Sequence, residues 1–206
     1  LQLLRFQHIR TLYEDGLEEV GQHKMGKRNP PSRIQKIDLV QSLEESNIDP
    51  TICHIDIVSS DLVVSSDVIV YPMGSFFGSI MVNLLVRGVG CAILHCPSPK
   101  VYVPNTGVDP EMYGYTLGDC VRLILKFVQD DVGCTVPATD ILNFVLIDTT
   151  NCEYCVDIDK EEIEALGIVI IDINLIGEEY LRAEGSKKCK ILDPAKVSEV
   201  LLTLGS

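Results

Sequence analysis

The apolar positions of the first twenty residues, Leu3, Leu4, Phe6, Ile9, Leu12, Tyr13, Leu17 and Val20, fall three and four apart. That is the spacing of one buried helical stripe, so the pattern predicts a helix over residues 1–20. Two glycines and two prolines interrupt regular structure over residues 21–31, which read as a loop. From residue 52 the pattern changes to short, β-branched apolar runs bounded by turn formers, at 52–58, 67–71, 91–95, 101–103, 144–147 and 168–173. Several are apolar throughout, as strands buried on both faces of a parallel sheet are. Helical segments alternate with them over 77–85, 116–129, 160–166 and 195–204. Asp159 and Asp193 are placed as N-caps of two of these, with Pro194 in a first turn. The alternation predicts an α/β fold with a doubly wound, mainly parallel sheet and flanking helices.

Ligands bind such sheets at the carboxyl ends of the strands, which points to the loops after Tyr71 and Val103. The first runs Pro72-Met73-Gly74-Ser75-Phe76-Phe77-Gly78-Ser79, a Gly/Ser turn leading into a helix. A helix N-terminus leaves backbone N–H groups free and the Ser75 and Ser79 hydroxyls add donors, so the junction suits a phosphate, with Gly74 allowing close approach. Gly and Ser serve equally as ordinary caps at any strand–helix turn. No Lys follows as in a Walker loop, and Ser75 stands one place early for a GxSxG elbow.

The second loop, Pro104-Asn105-Thr106-Gly107-Val108-Asp109-Pro110-Glu111, with Asp119 further on, sets three carboxylates and an amide after a strand end. On one reading Asn105 contacts a base or hydroxyl edge and Asp109 holds a divalent cation or orients a nucleophile. On the other, Asp-Pro and Gly make a turn, Glu111 is solvated and Asp119 pairs with a helix-end donor. His23 lies beside Lys24, Lys27 and Arg28 in the polar loop, either solvated or set to meet a phosphate. His54 and His95, inside apolar runs, read as packed core residues. Cys152 and Cys155 form one CxxC without a second pair of metal ligands. Cys91 and Cys96 fall on one expected strand, facing opposite sides. Asp157, Asp159, Glu161 and Glu162 read as N-terminal helix charge.

Charge narrows the partners. With 17 Lys and Arg against 30 Asp and Glu, the net charge of −13 argues against a nucleic-acid groove. No apolar run reaches the roughly 18 residues that a membrane span needs. Eight cysteines without a signal-peptide pattern are expected to be free thiols in a reducing cytoplasm.

The stretch Tyr71-Pro72-Met73-Gly74-Ser75-Phe76-Phe77-Gly78-Ser79-Ile80, followed by Asn83-Leu84-Leu85 and Gly88-Val89-Gly90, then Pro99-Lys100-Val101-Tyr102-Val103-Pro104-Asn105 and Asp109-Pro110-Glu111, resembles the 2-phospho-L-lactate transferase (CofD-like) family. The loop Gly21-Gln22-His23-Lys24-Met25-Gly26-Lys27 is similar to the Gly-Gln-His-x-x-x-Gly-Lys loop of one CofD-like subgroup. The resemblance covers residues 21–128.

It implies a Rossmann-like fold and a nucleotide or nucleotide-linked small molecule as ligand. In the name-giving enzymes a hydroxyl of a deazaflavin precursor attacks a phosphorus of a lactyl-diphospho-guanosine with Mg²⁺ assistance, and GMP leaves. Another branch binds nucleotide sugars in regulating carbon metabolism and cell-wall synthesis. Carried over by motif, Gly74, Ser75, Phe76 and Ser79 line the phosphate site and Asn83 and Asn105 contact the ligand. Asp109 holds Mg²⁺ or orients a hydroxyl, and His23 joins it as a catalytic residue. The family's N-terminal strand and Gly-Gly-Thr-Gly-like turn have no counterpart here, and the first residue is Leu1. Residues 1–206 are therefore expected to form one CofD-like domain without that segment, and the family implies a homo-oligomer. Two functions follow as expectations: a phosphoryl-type transferase acting on a nucleotide diphosphate-linked substrate, or a non-catalytic regulatory protein that binds a nucleotide or nucleotide sugar.

Overall fold

The computed structural model describes residues 8–21, 24–26, 31–41, 50–184 and 187–206, with backbone alone over 178–191. Where the apolar spacing predicts a helix over 1–20, the described part is β-structure. Strand β1 (His8–Tyr13) pairs antiparallel with β2 (Glu18–Val20) and with β3 (Ile34–Val40), giving the order β2-β1-β3. The buried positions of β1 are Ile9, Thr11 and Tyr13, a period of two that a purely apolar count misses because one member is Thr. Asp15-Gly16 makes the hairpin turn, with Gly16 at φ 79° and the Tyr13 N–H donating to Leu17 O at 3.0 Å.

The rest is α/β, as the alternation predicts. Helix α1 (Ile57–Val64) precedes β4 (Ile69–Tyr71), which leads into a π-helix (Phe76–Met81) continued by α2 (Val82–Leu84). Then come α3 (Val89–His95), β5 (Lys100–Tyr102), α4 (Leu117–Val132), α5 (Ala138–Ile141), β6 (Phe144–Ile147), α6 (Lys160–Glu164) and β7 (Val169–Asp172). β4, β5, β6 and β7 pair in that order, all parallel. An antiparallel hairpin, β8 (Ile176–Glu184) and β9 (Lys187–Leu192), precedes α7 (Pro194–Leu204). Asp159 and Asp193 cap α6 and α7 as expected, accepting from Glu162 N at 3.1 Å and Ala195 N at 2.9 Å.

Two expected strands are not strands. Of 52–58, residues 52–56 are irregular apart from an isolated bridge from His54 to Arg87, and Asp56, which accepts from Ser59 N at 3.0 Å, starts α1 at Ile57. The 91–95 run lies in α3, whose first N–H groups are capped from another element. The Asp131 carboxylate, on α4, accepts from Gly88 N at 3.0 Å and Gly90 N at 2.8 Å. A cap supplied 40 residues away leaves no local trace in the sequence. Cys91 therefore sits within a helix and Cys96 is its C-cap, not strand neighbours, while His54 and His95 are exposed rather than packed in the core.

Both faces of the parallel sheet are covered. Ile9, Tyr13, Ile34, Phe76, Ile124 and Ile163 belong to the core on one side, which joins the small sheet to α4 and α6. Val101, Val103, Leu146, Leu175 and Leu192 pack with Val197 of α7 on the other. The carboxyl ends of β4 to β7 are left open to loops.

Asp131→Ala leaves the α3 N–H groups without their charged acceptor and is expected to cost about 2–3 kcal/mol in urea unfolding, with Asp131→Asn in between. Equal stability of Asp131→Ala and the parent protein would contradict this capping role.

Candidate functional site

The loop after β4 and the loop after β5 meet through backbone-to-carboxylate bonds. Ser75 stands at the N-cap of the π-helix, but its hydroxyl makes no capping bond. The capping groups come from the second loop instead. Phe76 N–H donates to Asp109 Oδ2 at 2.9 Å and Gly78 N–H to Glu111 Oε2 at 2.7 Å. Asp109 Oδ1 in turn accepts from Glu111 N at 3.1 Å, which fixes the Asp-Pro-Glu turn Pro110–Met112 on the helix end. N–H groups that the sequence offers to a phosphate are therefore occupied by the protein's own carboxylates. Ser75 and Ser79 are both exposed.

The serines are strung along the helix. Ser79 N–H donates to Ser75 O at 2.8 Å, and Asn83 Nδ2 donates to Ser79 O at 2.7 Å. Gly74 packs against Ser79, where a Cβ would come within 3.3 Å of the Ser79 Cβ. A π-helix at this point widens the first turn, a deviation common at functional sites. The structure thus joins Asp109 to Phe76 at the start of the helix, beside Gly74 and Ser75, whereas Ser79 and Asn83 lie further along it and line a cavity beside β4. Asn105 is half-buried on the loop after β5. Asp119 is elsewhere: it completes a capping box with Thr116 at the start of α4 and pairs with Arg33 and Arg122. Burial alone would raise the Asp119 carboxyl, yet the Thr116 N–H and the two arginines hold it below its ordinary value.

Glu111 is the residue that the sequence undervalues. Read as a solvated side chain, it is 6% exposed, beside Asp109 at 5%. Burial pushes the Glu111 carboxyl up to about 7, against the opposing pull of the Gly78 N–H and helped by the Asp109 charge. Burial raises Asp109 as well, opposed by the N–H groups of Phe76 and Glu111. The signal for Glu111 is its spacing two residues from Asp109 across a proline, which turns both carboxylates toward the same helix end.

The neighbouring loop after β6 is tied in by its own carboxylate. Asp148, fully buried, accepts from Asn151 N and Leu175 N, each at 2.9 Å. Gly107 N–H donates to Glu153 O at 2.9 Å, which lays the Cys152–Cys155 loop against the loop that carries Asp109. Burial raises the Cys155 thiol there.

His23 lies outside the described residues, as do Lys27 and Arg28. The described part of their loop, residues 24–26, reaches the site nonetheless. A Cβ on Gly26 would stand 2.7 Å from both Glu111 N and Pro110 C, and Gly26 has φ +70°. Only glycine fits that close approach.

A Mg²⁺ ion, which the family resemblance implies, needs oxygen ligands with lone pairs to give. Each Asp109 oxygen accepts one backbone N–H and keeps a second lone pair, while among the described residues no three His, Cys, Asp or Glu side chains converge. Of the described residues at this turn, Asp109 is the one that would lend such an ion a ligand, with phosphate oxygens and waters completing its shell.

The family described as 2-phospho-L-lactate transferase CofD matches this chain over residues 14–176. The gluconeogenesis factor of Bacillus subtilis (strain 168) is 32% identical over 161 residues, covering 74% of this chain and 48% of its own. The gluconeogenesis factor of Halalkalibacterium halodurans is 31% identical over 138 residues, 62% of this chain and 41% of its own. This chain thus spans less than half the length of these two relatives. A crystal structure of a UPF0052 family member from Bacillus halodurans shares the fold with a TM-score of 0.67 at 23% identity, over 95% of this chain and 58% of that one.

Two predictions follow from the carboxylate contacts. An ordinary glutamate loses its proton near 4.5, whereas folded Glu111 keeps it to about 7, so between those values the folded state holds the extra proton. Stability is then greatest below the lower value and falls as pH rises through the upper one. Relative to Glu111→Gln, the parent protein is expected to lose about 3 kcal/mol of urea stability between roughly pH 4.5 and 7.5; parallel curves would refute the burial of this carboxyl. Gly26→Ala is expected to lower stability by about 1–3 kcal/mol through strain at positive φ and the Glu111 contact, and an unchanged melting temperature would show that the loop does not rest on that turn.

Proposed function

This chain belongs to the 2-phospho-L-lactate transferase CofD family, and from that premise we propose that it binds a nucleotide-linked small molecule, of the nucleotide-sugar kind, at the carboxyl edge of its parallel sheet, and that it acts as a regulatory binding protein without transferring a phosphoryl group. The observation that carries this reading is the bracing of the π-helix by Asp109 and Glu111. Phosphoryl transfer depends on positive charge gathered around the migrating group. Here the two carboxylates nearest the loop are buried and accept backbone N–H groups of the π-helix.

Binding uses what the junction leaves open. The Ser75 and Ser79 hydroxyls donate to phosphate oxygens, and Gly74 lets the backbone approach. Asn105, on the adjacent loop, meets a hydroxyl or base edge. In this reading the diphosphate lies across the β4 and β5 ends, where such sheets hold their ligands. The name gluconeogenesis factor, carried by the relatives, makes carbon metabolism the setting we favour for the regulation.

One observation favours the transferase instead. A buried carboxyl near 7, as Glu111 has, sits in the range of a general base able to take a proton from an attacking hydroxyl.

Calorimetry of a UDP-sugar and of GDP, each with and without Mg²⁺, separates the two. The regulatory reading expects UDP-sugar binding that ignores Mg²⁺, weakened about tenfold or more in Ser75→Ala/Ser79→Ala, with Glu111→Gln binding as the parent does. Mg²⁺-dependent GDP binding, with turnover abolished by Glu111→Gln, would replace it with the transferase.

A further inference from the structure

At the opposite end of the parallel sheet from the candidate site, we propose a second binding site, built around the buried Lys100 ammonium, for a small aliphatic amino acid held at both its carboxylate and its ammonium. Lys100 opens β5 and Phe144 opens β6, and both line a cavity of about 490 Å³ at the amino ends of these strands. The nucleotide-linked ligand of the preceding reading belongs to the carboxyl ends, so neither site depends on the other.

Lys100 is a charged residue taken almost wholly out of water, at 5% exposure. An ammonium is costly to bury, and lysines are seldom buried unless paired. One of its three N–H donors goes to Cys96 O at 2.7 Å, at the C-cap of α3, where positive charge also complements the helix end. Among the described residues no carboxylate pairs with it and no acceptor meets the other two donors. A ligand carboxylate supplies both the acceptors and the opposite charge.

The rest of the wall narrows the class of ligand. Asp140, on α5, is the other charged residue lining the cavity; it is exposed and, among the described residues, in no ion pair. A plain anion on Lys100 meets Asp140 as a like charge. A molecule with a carboxylate at its inner end and an ammonium at its outer end satisfies both. Leu94, Pro97, Pro99 and Phe144 complete the lining with apolar surface, which suits an aliphatic side chain.

The walls are also tied to one another. Asn143 Oδ1 accepts from Lys100 N–H at 2.9 Å, Asn143 Nδ2 donates to Thr139 O at 2.7 Å, and Asn143 N–H donates to Lys100 O at 2.9 Å. One side chain thus fixes α5 against the starts of β5 and β6, while Pro97 and Pro99 stiffen the turn between α3 and β5. A site set in advance loses little to ordering when a ligand binds.

The probe is L-leucine, titrated into the full chain and followed by calorimetry and by the NMR shifts of the Lys100 and Asn143 amides. N-acetyl-L-leucine lacks the ammonium, and leucinamide lacks the carboxylate. L-Leucine is expected to bind with a Kd of about 1 mM or tighter and to shift both amides, and each analogue to bind at least about tenfold more weakly. Asp140→Asn, at an exposed position, is expected to fold as the parent does and to erase the advantage of L-leucine over N-acetyl-L-leucine. Lys100→Met, which keeps an apolar stem, is expected to abolish binding, and the exposed Asp140 carries the test if that variant does not fold. Unmoved Lys100 and Asn143 amides, binding of either analogue as tight as that of L-leucine, or an Asp140→Asn protein that discriminates as the parent does overturns the proposal. Acetate binding as tightly as L-leucine also overturns it, in favour of a plain anion site.

Discussion

Asp109 and Glu111 leave water to accept the Phe76 and Gly78 N–H groups, and the shape of the candidate site rests on that exchange. Burying two neighbouring carboxylates is costly, because desolvation and mutual repulsion both oppose ionisation. Bonds to a helix N-terminus offset part of the cost, since the N–H groups and the helix field both favour negative charge there. The remainder shows in the raised Glu111 carboxyl. What the molecule gains is a fixed relation between the loops after β4 and β5, with Ser75 and Ser79 exposed and Gly26 seated on the same turn.

The same device recurs at other joints. Asp131 holds the start of α3, and Asp148 holds the loop after β6 against Leu175. Acidic residues that look in the sequence like surplus surface charge are thus partly structural. They act from a distance on backbone groups of other elements, so the acidic composition and the arrangement of the loops are two sides of one fact.

How much of this was legible in the sequence depended on whether the cause was local. Strands β4, β5, β6 and β7, the helix α4, and the caps Asp159 and Asp193 have their determinants within a few residues, and the α/β reading followed from them. Helix α3 did not, since Asp131 caps it from α4, and an isolated apolar run reads as readily as strand. The small sheet is hidden in the sequence for a different reason. Leu12 and Leu17 complete a helical spacing, yet the chain buries Thr11 with Ile9 and Tyr13, and Asp15-Gly16 was the turn signal that outweighs the count. At the site, the Gly/Ser turn and the Asp109 loop are legible because strand ends in parallel sheets point to them. The direction of their contact was not, because nothing in the order of residues says whether a helix N-terminus meets a ligand or the protein's own carboxylate.

The bracing contact can be observed directly by following the Glu111 side-chain carboxyl carbon and the Gly78 amide proton by NMR across a pH titration. Both are expected to report one transition near 7, the carboxyl by its own protonation and the amide through the bond it donates. A Glu111 carboxyl that titrates near 4.5, with a Gly78 amide that does not respond, would contradict it.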